Sequence, residues 1–154
     1  MSLPTNKPDR GRAVKVAGDQ SGASVDVSAD RVQVKIPTDF VLPPDGLNIR
    51  WPDGILEQEA RILDWKEYAA LAYARAIGLD RVIFDSPKAR LGIVTTGKSY
   101  GDVMQALSDL GITKEIAADI GLRVYKVAMS WPLEPQGAKR FAEGLEEILV
   151  VEEK

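Results

Sequence analysis

The chain has 154 residues, enough for one domain with a proper core and too few for two comfortable ones. Its 45% hydrophobic and 28% charged residues are those of a globular protein, and a net charge of −3 argues against nucleic acid or an anionic membrane as an obligatory partner. Cysteine and histidine are both absent. Their loss removes disulfides, thiolate metal sites, iron–sulfur ligation and the usual general base near neutral pH, so the composition argues against catalysis contained entirely in this chain.

Residues 1–24, rich in Gly, Ser, Pro and charge, are read as a flexible tail or linker in which Met1-Ser2-Leu3 resembles a vector remnant. Residues 25–54 are read as short strands and an extended connector. Val25 and Val27, then Val32, Val34 and Ile36, alternate with polar residues around Ser28-Ala29-Asp30, the period of two half-buried strands. Pro37 ends that pattern, and Pro43, Pro44, Gly46, Pro52 and Gly54 punctuate the connector. Trp51, a large apolar side chain on a polar loop, is expected to pin the connector to a neighbouring surface.

Residues 55–154 are read as an α/β domain. From Ile55 to Ile77, apolar residues recur at three and four (Ile62, Trp65, Ala69, Ala72, Tyr73), with Glu57 and Glu59 early, Arg75 late and Gly78 as a left-handed stop. Trp65, Tyr68 and Tyr73 are expected to pack on a sheet. Val82-Ile83-Phe84 is a short strand, and Leu91 to Thr95 a buried one leading into a helix from about Ser99 to Leu110, with inner face Val103, Ala106, Leu107 and Leu110 and a stop at Gly111. Thr113 caps a helix that ends at Gly121, and Leu122 to Met129 is a strand. Pro135 opens a helix through Leu145 that carries Phe141, with Glu134 as its cap. Ile148 to Val151 is a continuous apolar run, expected for a strand covered on both faces. The alternation predicts an α/β fold with a mainly parallel sheet and helices on both of its faces. A sheet that stops at this last strand leaves an unpaired edge, so the domain is expected to be truncated at its C-terminal end, and that edge is compatible with a homodimer.

Gly92, Gly97, Lys98 and Ser99 fit the spacing G-x-x-x-x-G-K-S/T of a phosphate-binding loop, which would make the chain a nucleotide-binding enzyme. A phosphate loop needs a flexible turn after the strand, whereas Ile93, Val94, Thr95 and Thr96 are all β-branched and suited to a pleated strand. The spacing is therefore read as a strand running into a helix. Thr96, Gly97, Lys98 and Ser99 remain candidates for an anion contact at that helix N-terminus, beside the plainer account in which Ser99 caps the helix and Gly97 makes the turn.

LNIRWPDGILEQEARILDWK (Leu47 to Lys66), RLGIVTTGKSYGDVMQALSDLGI (Arg90 to Ile112) and LRVYKVAMSWPLEPQGAKRFAEGLEEILVVEEK (Leu122 to Lys154) resemble the large subunit of indolepyruvate ferredoxin oxidoreductases. The resemblance implies a three-layer α/β/α domain similar to the transketolase C-terminal domain. It implies a parent enzyme that oxidatively decarboxylates aryl 2-oxoacids with thiamine diphosphate, Mg2+ and iron–sulfur clusters, using coenzyme A as acyl acceptor and ferredoxin as electron acceptor. The Gly-Asp-Gly and downstream Asn of the family's diphosphate site are missing, as are cluster cysteines, so no catalytic residue transfers to a position here. The expected role is structural and interactive, with other domains and subunits of the parent as partners, no cofactor bound by this chain alone, and Thr96 to Ser99 as an anion or coenzyme A contact. With no apolar run near the roughly 20 residues a bilayer requires, a soluble cytoplasmic protein is expected.

Overall fold

The computed structural model describes residues 34–51 and 53–153. Residues 35–154 form one compact unit. Its frame is a four-stranded sheet of β1 (Arg81–Phe84), β2 (Leu91–Thr96), β3 (Leu122–Val127) and β4 (Glu147–Val151), in the order β1-β3-β2-β4. β2 runs parallel to β3 on one side and to β4 on the other, while β1 runs antiparallel to β3. The sheet is thus mixed, where a mainly parallel one was expected. The reason lies in the link from Asp85 to Arg90, which holds no helix. A parallel connection needs a crossover of about a dozen residues or more.

Helices α1 (Ile55–Arg61) and α2 (Glu67–Ile77) precede the sheet, joined by a π-helical turn over Ile62–Lys66. Two more, α3 (Gly97–Asp109) and α4 (Lys114–Ile120), lie between β2 and β3, and α5 (Pro135–Ala142) between β3 and β4. Their ends follow local chemistry. Gly54 N–H donates to Glu57 Oε2 at 3.0 Å, and Thr113 Oγ1 accepts from the amide of Ile116 at 3.3 Å. Gly78 and Gly121 supply the positive φ, +61° and +83°, that ends α2 and α4.

Alternation along β3 divides the core. Leu122 and Val124 face one side, where they meet Phe84, Val103, Leu107 and Ala117 from β1, α3 and α4. Tyr125 and Val127 face the other, against Phe141 and Leu145. The Tyr125 and Phe141 rings stack with centroids 4.9 Å apart. Gly92 of β2 lets this second face close up, since a Cβ there would lie 2.5 Å from Leu145 Cδ1 and 2.8 Å from Phe141 Cζ.

Several sequence expectations are corrected. β4 is an edge strand, not a covered one, and its Leu149 is 53% and Val150 61% exposed. A two-sided apolar run shows that a strand can be interior; it does not supply the neighbour. Trp51 is 92% exposed and pins nothing within the described residues. Tyr68 is also largely exposed and Trp65 only partly covered; in this helical stretch the buried residues are Ala72 and Ala74 of α2. On α3 the inner face is Ser99, Val103 and Leu107, while Ala106 and Leu110 are exposed. The last helix stops at Ala142, before Leu145. Val34 and Ile36 lie outside any strand, and Val25, Val27 and Val32 fall outside the described residues.

Replacing Gly92 by Val overpacks the second face at Phe141 and Leu145. Urea unfolding is expected to show a loss of about 1–3 kcal/mol, the range for inserting bulk into a closed core. An unchanged midpoint would mean that the close contact is absent in solution.

Candidate functional site

Adjacent parallel strands whose following connections leave toward opposite faces of a sheet open a crevice at their carboxyl ends. β2 and β3 are such a pair: β2 continues into α3 on one face and β3 into α5 on the other. At this point lies a cavity of about 140 Å³, lined among others by Thr95, Thr96, Val127, Ser130, Leu133 and Glu152. The sequence placed a candidate at the β2–α3 joint. It did not anticipate Ser130 and Leu133, which the loop after β3 brings in and which no local pattern marks.

Thr96 is the N-cap of α3, with extended φ and ψ of −141° and 161°, and its side chain makes no capping hydrogen bond. Gly97 starts the helix with φ +53°, a value that favours glycine. Ser99, expected as the cap, is instead the third helical residue and is buried. The helix begins two residues early because glycine turns the chain directly at the end of the strand. The first-turn amides therefore lack a side-chain acceptor from their own N-cap, the condition in which a helix N-terminus favours an anion. Lys98 adds positive charge there, but its Nζ lies 3.7 Å from Glu153 Oε2 with both groups exposed. Next to this turn, Lys126 Nζ sits 4.2 Å from the centre of the Tyr100 ring.

The phosphate-loop spacing is resolved by register. Ile93, Val94, Thr95 and Thr96 pair with Val124, Tyr125, Lys126 and Val127, and the first three also with Leu149, Val150 and Val151. Backbone held in a ladder on both sides cannot curl round a phosphate chain.

A second polar cluster went unforeseen. Glu134, capping α5 as expected, accepts from the amides of Gln136 and Gly137 at 3.0 and 2.5 Å. The same carboxylate accepts from Arg75 Nη1 of α2 at 3.0 Å, and Arg75 Nε donates to Asp39 at 2.8 Å. Sequence alone marked Arg75 as a helix-end charge, since its partner is 59 positions away. Burial pushes the Glu134 pKa up, but the amides of Gly137 and Gln136 together with Arg75 outweigh it and hold the carboxyl below its ordinary range.

On the Tyr125 face a larger cleft, about 230 Å³, is lined by Asp80, Asp85, Arg123, Tyr125, Arg140 and neighbours. Arg123 acts there as a brace, donating to Asp85 Oδ1 at 2.7 Å and to the carbonyl of Phe141 at 2.9 Å. Asp80 Oδ1 accepts from the Ala128 amide at 2.7 Å. Burial, with Asp80 and Glu134 nearby, pushes the Tyr125 phenol up to about 12, so it stays neutral at physiological pH. Among the described residues no group of acidic, histidine or cysteine side chains is placed to hold a metal ion, and no helix is long and apolar enough to cross a membrane.

Residues 81–154 match the family model described as the indolepyruvate oxidoreductase domain. No curated protein and no solved structure matches the chain.

Glu134→Ala removes a cap and leaves Arg75 without its buried partner, so a loss of about 2–4 kcal/mol is expected in urea unfolding at neutral pH. Because the folded pKa is depressed, this contribution is present above the ordinary carboxylate value of 4.5 and is lost as pH falls through the folded value. The gap between wild type and variant should therefore narrow on acidification below that range. A gap that widened would reverse the sign of the interaction.

Proposed function

We propose, from the premise that residues 81–154 belong to the indolepyruvate oxidoreductase domain family, that this chain is a structural and interaction domain of a thiamine diphosphate-dependent indolepyruvate:ferredoxin oxidoreductase. The observation that carries the reading is the family match across all four strands and α3 to α5. In this reading, thiamine diphosphate, Mg2+ and the iron–sulfur clusters belong to other domains and subunits of the parent enzyme, and ferredoxin meets that enzyme rather than this chain. The helices on the two faces of the sheet support a three-layer arrangement of the transketolase C-terminal type. Exposed apolar side chains on β4, on α1 and at Trp51 support contact with further parts of an assembly, because single apolar residues are ordinary at a surface whereas groups of them mark interfaces.

The lack of cysteine and histidine supports a role in which chemistry happens elsewhere. What this domain contributes is rigidity: α2 is tied to α5 through Arg75 and Glu134, and α5 is held on the sheet by the Tyr125–Phe141 stack.

A second reading is favoured by the position of the α3 N-terminus at the switch point, where Thr96, Gly97, Lys98 and Ser99 would contact an anionic group such as a phosphate of coenzyme A. Chemical shift changes confined to these four residues on adding coenzyme A would support it, and no response at millimolar ligand would remove it.

For the leading reading, calorimetric titration of the chain with thiamine diphosphate and Mg2+ is expected to give no binding heat. Micromolar affinity would contradict the assignment of the cofactor to other parts of the enzyme.

A further inference from the structure

β4 pairs with β2 on one side only, in unbroken register from Glu147 to Val151. The Glu147 N–H donates to the carbonyl of Arg90 at 3.2 Å, at the foot of β2. Backbone groups alternate in direction along a strand, so those of Glu147, Leu149 and Val151 point to β2 and those of Ile148 and Val150 point outward. Large apolar side chains are exposed on both faces of this edge. Ile148 and Val150 share the face of Val94, and Leu149 lies on the opposite one. No proline, lysine or bulge interrupts the strand. Free ladder groups with apolar cover on both faces are what an extended segment uses when it adds to a sheet.

Charge selects the occupant. Glu146 and Glu147 stand at one end of β4, Glu152 and Glu153 at the other. Arg90 pairs with Glu146 and Lys98 lies near Glu153, which leaves Glu147 and Glu152 without a cationic partner among the described residues. A second copy would bring the same uncompensated carboxylates to a shared edge, where like charges are unfavourable, whereas lysine or arginine at both ends of a segment would compensate them. Exposed pairs are individually weak and screened by salt, so they supply the choice of partner while the ladder and the apolar cover supply affinity.

We infer that the outer edge of β4 takes up an extended segment of a partner protein as an added strand, its centre β-branched and its two ends basic. The inference rests on the reading of β4 as a contact surface and names the partner's chemistry; it does not depend on the family assignment.

The experiment is hydrogen exchange on the isotope-labelled chain with three capped peptides of alternating valine and threonine, flanked by two lysines, two glutamates or two serines at each end. The lysine peptide is expected to slow the Ile148 and Val150 amides by about tenfold or more and to leave Leu149 and Val151, already held on β2, little changed. Raising the salt concentration should weaken it. Val150→Pro removes one outward donor at a position where an edge strand admits proline, and should lose the response while β2 stays protected. Glu147→Lys with Glu152→Lys should transfer the preference to the glutamate peptide. Equal response to all three peptides would leave β4 a contact surface and overturn the basic partner. Protection of the same two amides by raising protein concentration alone would assign the edge to a second copy and overturn the proposal, as would silence from every peptide or a full response in Val150→Pro.

Discussion

The unit depends on the pairing of β2 on both edges. Ile93, Val94 and Thr95 are held between β3 and β4, and each is branched at Cβ, so the side chains that stiffen this stretch also suit the pleat. Glycine appears where the strand needs it: Gly92 admits Phe141 and Leu145 to within contact distance of the backbone, and Gly97 turns the chain out of the sheet at φ +53°. Everything after β2 takes its place from this strand. α3 leaves from its end, β3 returns beside it, and β4 is laid on its other edge.

Polar ties add orientation to that hydrophobic frame, and they are not equal. Arg90 and Glu146 form a two-pronged pair at 2.9 Å, but both side chains are mostly exposed, and such pairs are typically worth about 0–1 kcal/mol. Arg75 with Glu134 differs because the carboxylate is only 4% exposed and also serves as a helix cap, so removing it strands a charge and two amides together. Arg123 lies between these cases. It spans Asp85 and the carbonyls at the end of α5, joining the β1–β2 link to the helix that closes the second face.

Local features were legible in the sequence because their causes are local. Thr113 and Gly121 bracket α4, Pro135 after Glu134 opens α5, and four branched residues in a row define β2, each requiring only neighbours within a few positions. The family likeness was legible in segments that include β2, β3 and β4, and the match over residues 81–154 bears it out there, while Leu47 to Lys66 lies outside that match. What sequence could not give were properties of partners distant along the chain. The direction of β1 was overridden by the short link to β2, and the exposure of β4 depends on which strands lie beside it rather than on its own apolar run. Of the candidate site, the joint at Thr96 to Ser99 could be placed from the motif. Its opposite wall, Ser130 and Leu133, comes from a loop 34 positions further on at its nearest, counting from Thr96 to Ser130, and only the crossover brings it close.

The central claim is that Ile93 to Thr96 are the interior of a sheet and not a loop waiting for a phosphate. Native-state amide hydrogen exchange tests it most directly, because protection reports whether backbone donors are held in a ladder. The expected result is that amides along β2 are among the slowest in the chain, with exchange rates unmoved by ATP and Mg2+. Fast exchange from Ile93 to Thr96 in the free protein, slowed by nucleotide, would contradict the account.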